Sequence, residues 1–464
     1  MHDELVASEF RVGVVGAGHV GLVTGACLAH LGHRVTGIDK DEAKVETLVS
    51  GGIPIYEPGL EEMVADGLRN ERLSFATSLE ETVAHADFMF IAVDTPQGDE
   101  GAADLSKVAD VAHGIGRALA KVERESPLIV VNKGTVPVGS GDYVSMRIRE
   151  GVKEIGDNRA EFRVVSNPEF LREGSAVYDS LFPDRIVVGA NSRQDSDAMR
   201  ALYERVIEQS FPTDLDPRPK ETVPFITTDL ASAEMIKYAA NAFLATKISF
   251  INEIGNICEL VGANVTNVAA GMGLDDRIGS RFLSAGIGWG GSCFLKDVMS
   301  LKNIAGEYDY EAEMLSTTVS INQRQRRRVI HKLQRHLQTL KGKRIALLGL
   351  SFKPNTEDLR EAPSLEIARM LHSLGAEVAG YDPVSGKAAL ALVPELQLAL
   401  DPYDALTEAH AAVLVTEWEE FRELDLSHIS SSMEPPRLLV DGRNFLNSRA
   451  VSEAGLLYEG FGRV

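Results

Sequence analysis

Residues 286–297 read Gly-Ile-Gly-Trp-Gly-Gly-Ser-Cys-Phe-Leu-Lys-Asp, and Cys293 within them is the strongest candidate nucleophile in the chain. Four glycines in six residues suit a backbone that must pass close to a ligand. Ser292 is a good N-cap for a helix running on through Leu301. Cys293 then falls in the first helical turn, where the dipole favours thiolate and lowers the pKa below its free value of about 8.5. Asp297 follows four residues later on the same helix face, so a nucleophile and a carboxylate acid/base would point into one cleft. Cys27 and Cys258 sit inside helix patterns and read as small buried hydrophobes.

Lys237 and Asn241 are also four apart, in a proline-free run from Asp229 to Val261 that is apolar or small-residue nearly all round. A buried lysine needs a partner or a task. An ammonium and an amide aimed at one point could stabilise a developing oxyanion. Glu169 and Glu173, in Asn167-Pro168-Glu169-Phe170-Leu171-Arg172-Glu173-Gly174, repeat the spacing. Either acid could handle protons or water, although spacing alone fits capping and surface charge better.

These groups need elements to position them. Gly16-Ala17-Gly18-His19-Val20-Gly21 follows an apolar strand pattern, Phe10–Val15, and opens a helix pattern, Val20–Leu31. Gly16 permits the tight turn, Gly18 lets the backbone approach a pyrophosphate, and Gly21 permits close helix–strand packing. The helix start adds free N–H groups and the positive end of the dipole. Asp39 closes the next strand, 18 residues after Gly21, where a carboxylate can accept from both ribose hydroxyls and repels a 2′-phosphate. NAD is therefore expected rather than NADP, with Lys40 and Lys44 close by. The loops Val93-Asp94-Thr95-Pro96 and Lys133-Gly134-Thr135-Val136-Pro137 follow later strands and so face the crevice at the carboxyl ends of an open α/β sheet.

Further strands are expected at Arg34–Ile38, Phe88–Val93, Leu128–Val131, Arg163–Val165 and Arg185–Gly189, with helices at Leu105–Ala120, Asp142–Glu150 and Ser192–Gln209. The proline-rich stretch Phe211–Lys220 reads as a loop near a boundary. Helical pattern then continues to about Leu340, before Lys343–Gly349 restarts the βαβ alternation with strands at Glu377–Tyr381, Ala411–Thr416 and Arg437–Val440. The fold class is α/β: two Rossmann-like doubly wound parallel-sheet domains joined by a central helical domain with one long helix. The long helix, apolar on several faces, suggests packing between domains or subunits, and at least a homodimer.

Bulk properties bound the function. The chain has 464 residues, is 44% hydrophobic and carries a formal net charge of -21. That acidity argues against a broad nucleic-acid surface, while local groups can still hold a phosphate. Three widely spaced cysteines fit no disulfide framework and no zinc motif, so no metal is expected. The start of the chain has no basic n-region before an apolar core, and no apolar run approaches a membrane span, so a cytoplasmic location is expected. Arg324–Arg328 reads as a solvated helix face.

Taken together, the segments GAGHVG, DTP, KGTVPVG, NPEFLREG, AEMIKYAANAFLATKISFINE, GWGGSCFLKD, GLSFKPNTEDLRE and DGRN resemble, in order and over nearly the whole chain, the UDP-glucose/GDP-mannose dehydrogenase family. The resemblance implies a four-electron oxidation with two NAD: a nucleotide-sugar C6 alcohol becomes an aldehyde, a cysteine thiohemiacetal, a thioester and finally a carboxylate. UDP-glucose is the leading substrate, with GDP-mannose and UDP-N-acetyl-hexosamines as alternatives. It implies domains at 1–225 (NAD-binding), 226–340 (central, dimerisation, with the catalytic Lys and Cys) and 341–464 (nucleotide-sugar binding). It implies Cys293 as nucleophile, Lys237 as oxyanion stabiliser with Asn241 its helper, Asp297 as proton partner, Thr135 ordering water and Glu169 in hydrolysis. Gly16, Gly18, Val20, Gly21, Asp39, Lys44, Thr95, Thr135, Glu173, Lys296 and Arg360 fall on the cofactor side. Glu169, Phe170, Leu171, Lys237, Asn241, Gly290, Phe352, Lys353 and Arg443 fall on the substrate side, and Arg277 resembles an arginine offered to the neighbouring subunit's substrate. The chain departs from the family at Gly134, where Ser is common, at Trp289, where Phe or Tyr is common, and at Asp94, where Asn is commoner. A 6-phosphogluconate-type dehydrogenase would need no cysteine, and a non-catalytic NAD-binding protein would need neither the cysteine nor the lysine.

Overall fold

The computed structural model describes residues 9–98, 101–156, 160–215, 218 and 221–463. Residues 1–8 of the N-terminal stretch, and 216, 217, 219 and 220 of the expected loop Phe211–Lys220, lie outside the described residues. The chain divides into two compact units, one up to Ala239 and one from Ala240. The division falls inside the helix Leu230–Val261, whose 32 residues confirm the expected long helix.

The first unit is built on strands β1 (Arg11–Val15), β2 (Arg34–Ile38), β3 (Leu73–Ala76), β4 (Phe88–Ile91), β5 (Leu128–Asn132), β6 (Phe162–Ser166), β7 (Ile186–Ala190) and β8 (Phe225–Thr228). They form one sheet in the order β3-β2-β1-β4-β5-β6-β7-β8. The strand order reverses between β1 and β4, which is where a doubly wound sheet opens a crevice. Neighbours are parallel except β7, which runs antiparallel to β6 through Val165↔Ala190 and Ser166↔Gly189. Both faces are covered, which is why the central strands read as continuous apolar runs. Val12, Val14, Phe88 and Phe90 are buried with the helix His19–His30 on one side. Val15, Met89, Ile91 and Val130 are buried with Val108, Ala112, Ile115 and Val144 on the other. The helix Ser106–Leu119 supplies Val108, Ala112, Ile115 and Leu119 at helical spacing.

The second unit carries the helices Val265–Gly273, Ser292–Glu307 and Glu313–Leu337. Six strands follow: β9 (Arg344–Leu348), β10 (Glu377–Tyr381), β11 (Gln397–Leu398), β12 (Ala411–Leu414), β13 (Leu438–Asp441) and β14 (Leu457–Glu459). Their order is β11-β10-β9-β12-β13-β14, all parallel.

Some expectations need correction. β3, β8, β11 and β14 escaped the sequence pattern because each is a sheet edge of two to four residues, too short and too exposed for an apolar run. The helix expected over Ser192–Gln209 is two, Arg193–Leu202 and Glu204–Ile207. The basic cluster is only in part a solvated face, with Arg324 and Arg327 exposed. Arg326 is buried, donating to the carbonyls of Trp289 and Glu361 at 3.2 Å each and pairing with Glu366, while Arg328 pairs with Glu259. No helix among the described residues is long and apolar enough to cross a membrane.

Candidate active site

In the first unit, the turn after β1 has the geometry its glycines require. Gly16 adopts φ +104°, and a Cβ there would stand 2.7 Å from the Ala92 carbonyl. Gly18 is the N-cap of the helix His19–His30, and a Cβ on it would meet nothing within 4 Å. The backbone at the helix start is thus open to space at Gly18, as the close approach of a phosphate requires. Gly21 packs against the turn itself, where a Cβ would clash with the Gly16 carbonyl at 1.8 Å, and Val20 is half-buried against the core. Asp39 follows β2 and accepts from Ala17 N–H at 2.9 Å, Asp41 N–H at 3.1 Å and Lys44 Nζ at 3.0 Å. Burial pushes its carboxyl upward, but these donors prevail and hold it below the usual carboxylate range. A carboxylate offers about four acceptor positions, so Asp39 keeps capacity for a ribose hydroxyl. Loop and acid together fit a dinucleotide.

The later loops converge at the same sheet edge. Thr95 is buried and donates its hydroxyl to the Thr135 carbonyl at 2.8 Å, tying the loops after β4 and β5 together. After β6, Glu169 and Lys237 form a buried ion pair at 2.9 Å, with side chains 8% and 5% exposed. Glu169 also accepts from Leu171 N–H at 2.8 Å. Phe170 is flanked by cations, with Arg185 3.8 Å and Lys237 5.4 Å from its ring centre. Glu173 lies half-buried in the loop that leads to the helix Ala176–Leu181. In the sequence Lys133 stands out only as the first residue of its loop, with no role of its own. It donates to Asn167 Oδ1 at 3.1 Å, and burial pulls its pKa down to about 8, with Glu169 opposing and Lys237 adding to the effect. Its place directly after β5 was the available signal.

In the second unit, Cys293 is exposed in the first turn of the helix Ser292–Glu307, and none of the three cysteines forms a disulfide. The N-cap is Gly291 rather than Ser292. At φ +85°, with a Cβ only 2.8 Å from the Phe352 ring, only glycine fits there. The other glycines of the loop are also explained inside the fold, against expectation. Side chains would meet the Gly442 carbonyl at Gly286, Asn322 at Gly288 and the Glu361 carbonyl at Gly290, all within 2.5 Å. Asp297 lies one turn beyond Cys293 but is buried, 1% exposed. It accepts from Asn241 Nδ2 at 2.6 Å and lies 2.8 Å from Lys296 Nζ. Lys237 and Asn241 therefore each meet a different carboxylate. Trp289 is buried and donates to Ser249 Oγ at 3.2 Å.

Arg443 donates to the carbonyls of Val415 at 2.8 Å, Gly288 at 2.9 Å and Phe352 at 3.3 Å, binding three loops of the second unit. Lys353 Nζ stands 5.4 Å from the Phe352 ring centre. Arg360 chelates Asp358, and its carbonyl accepts from Gly291 N–H at 3.1 Å. Arg277 has an 88% exposed side chain and pairs with Asp275 two residues before it.

Comparison with known proteins gives these groups a context. Residues 10–207 match the NAD binding domain of the UDP-glucose/GDP-mannose dehydrogenase family, 231–324 its central domain and 346–448 its UDP binding domain. A UDP-glucose 6-dehydrogenase of Rhizobium meliloti is 44% identical over 98% of this chain and 99% of its own length. One of Pseudomonas aeruginosa is 44% identical over 98% and 97%. The solved structure of a UDP-glucose dehydrogenase from the hyperthermophilic archaeon Pyrobaculum islandicum superposes with a TM-score of 0.89 at 35% identity, covering all of both chains. Three domains in the family's order, and relatives this similar from end to end, make the chain a member of the UDP-glucose/GDP-mannose dehydrogenase family of NAD-binding enzymes.

Proposed function

We propose that this chain oxidises the C6 primary alcohol of UDP-glucose to the carboxylate of UDP-glucuronate through a thioester on Cys293. The observation that carries the mechanism is an exposed cysteine in the first turn of a helix, one turn before a buried aspartate held by an amide and an ammonium. The substrate follows from full-length relatives at 44% identity that bear that activity in their names.

Gly16, Gly18, Val20, Gly21, Asp39, Lys44, Thr95 and Glu173, with Lys296 and Arg360, are the residues that would hold NAD, which when bound would supply the hydride acceptor for both oxidations. Cys293, as thiolate, adds to the aldehyde carbon and keeps this reactive species bound as a thiohemiacetal. Loss of a second hydride leaves the acyl group on sulfur as a thioester, and water then releases the carboxylate and restores the thiol. Lys237 stabilises the oxyanion at each addition, with Asn241 as helper. Asp297 exchanges the protons, and Glu169 with Thr135 orders the hydrolytic water. Phe170, Leu171, Gly290, Phe352, Lys353 and Arg443 hold the nucleotide sugar. These roles fit the division into an NAD-binding domain at 1–225, a central domain at 226–340 and a nucleotide-sugar domain at 341–464. Cysteines outside any disulfide, one of them the nucleophile, suit a reducing cytoplasm.

The enzyme works as a homodimer. Phe243, Phe250 and Ile257 lie seven residues apart on the long helix, 64%, 44% and 48% exposed, an apolar stripe that a second copy would cover. Arg277 would then serve the neighbouring subunit's substrate. A monomer by light scattering with full activity would remove the dimer.

A panel of nucleotide sugars, with NADH counted per substrate consumed, tests the reaction. Two NADH on UDP-glucose, and little on GDP-mannose or UDP-N-acetyl-hexosamines, is expected. C293S should abolish acid formation, a loss of about a thousand-fold or more. Acid made by C293S at the wild-type rate would rule out the thioester.

A further inference from the structure

We infer that Glu234 is the positioning residue that holds Lys237 on Glu169, an inference that rests on the role given above to Lys237. Glu234 stands three residues before Lys237 on the helix Leu230–Val261 and is 3% exposed. Its carboxylate accepts three hydrogen bonds: from Gly139 N–H at 2.7 Å, Gly141 N–H at 2.9 Å and Ser166 Oγ at 2.9 Å. Gly139 is the N-cap of the helix Ser140–Ile155, so the charge sits where backbone N–H groups lack partners and the dipole welcomes an anion. Ser166 ends β6, three residues before Glu169. Gly139 lies four residues after Thr135.

One carboxylate thus joins the three segments that carry Thr135, Glu169 and Lys237, each within four residues of a bonded group. Packing leaves this joint little play. A Cβ on Gly189 would stand 2.6 Å from Ala233 Cβ and from the Asp229 carbonyl, and one on Gly141 would stand 3.0 Å from Leu230 Cδ1. The first turns of the long helix are therefore seated on β7 and on the start of the helix Ser140–Ile155. Burial outweighs its three donors and raises the Glu234 carboxyl above the ordinary carboxylate value, while the three bonds it accepts use the acceptor-only ionised form. These three bonds go to Gly139, Gly141 and Ser166, so Glu234 acts by fixing where the backbones that carry Lys237 and Glu169 start.

The test measures kcat, KM for UDP-glucose and KM for NAD in the full-length chain carrying E234Q, S166A, K237A or K237A with E234Q. E234Q should lower kcat about ten-fold or more, since small misplacements of reacting groups cost up to about a hundred-fold, with KM for NAD within about two-fold. In the K237A background the same change should cost less than about two-fold, because no ammonium remains to be placed. S166A keeps both backbone donors and should cost about two- to five-fold; it carries the comparison if E234Q does not fold. An unchanged kcat in E234Q, or an equal fall in both backgrounds, overturns the inference. Should K237A itself keep the wild-type kcat, the role of Lys237 fails instead. Placement is then read from the labelling rate of Lys237 by an amine reagent: a rise in E234Q supports it and no change overturns it.

Discussion

The two sheets begin with the same turn and use it differently. After β1, Gly16 N–H donates to the Ile38 carbonyl at 2.7 Å; after β9, Gly349 N–H donates to the Tyr381 carbonyl at 2.8 Å. Both glycines have positive φ, +104° and +85°. Each turn then gives an N–H to the aspartate that closes the second strand: Ala17 to Asp39 at 2.9 Å and Leu350 to Asp382 at 2.7 Å. From there they part. Asp39 takes two further donors and keeps room for another. Asp382 also accepts from Ser351 N–H and Oγ, Val384 N–H, Ser385 N–H and Trp418 Nε1, at 2.8–3.1 Å. Its capacity is filled by its own fold, and it is 6% exposed. What marks a dinucleotide turn is therefore not the glycine or the acid but the polar capacity left over for a ligand.

Substitutions at matched positions can break this comparison. The largest effect belongs to D382A, which strips the acceptor from four backbone N–H groups and should cost about 4 kcal/mol at about 1 kcal/mol or more each. D39A strips two backbone N–H groups, from Ala17 and Asp41, and should cost about half as much, about 2 kcal/mol. Equal losses by thermal or urea unfolding would erase the distinction. Next, D39N should raise KM for NAD about ten- to a hundred-fold, the worth of a charge-assisted bond to a ribose hydroxyl, while D382N per folded molecule should leave it unchanged.

The glycines sharpen the point. G349A places a Cβ 2.4 Å from Thr416 Cβ in a left-handed conformation and should destabilise by about 2 kcal/mol. G18A, open to space, should leave the melting temperature unmoved and still raise KM for NAD about ten-fold. A melting temperature that falls in G18A would mean the open side is not reserved for a ligand.

The smallest effect is in acid. Burial works against both carboxyls, yet bonded N–H groups keep Asp39 and Asp382 below their ordinary 3.8. The folded state then binds fewer protons than the unfolded chain near that pH. The stability each contributes is present above 3.8 and is lost as pH falls through the lowered value. D382N should flatten this loss, measured by urea midpoints from pH 6 downward, and D39N should flatten it less.

Legibility differed between the halves of the candidate site in the same way. The glycine turn, Asp39 and a cysteine at a helix start are local arrangements, and the elements formed within a residue or two of where periodicity set them. The glycines at 286–291 misled, because a close approach of protein backbone and of ligand leave the same trace in sequence. Arg326 misled likewise, as a basic cluster does not show which of its members turns inward.

By itself the sequence determined where the central strands, the long helix and the first turn form, since hydrophobic period, capping and φ preference act over a few residues. It also determined that a thiol would open a helix and that an acid would close β2. Tertiary structure alone decided which charges meet: Lys237 with Glu169, 68 positions apart, Asp297 with Asn241, 56 apart, and Glu234 with the turn at Gly139. Such pairings depend on how distant segments are brought together and how much water leaves with them, and local spacing encodes neither.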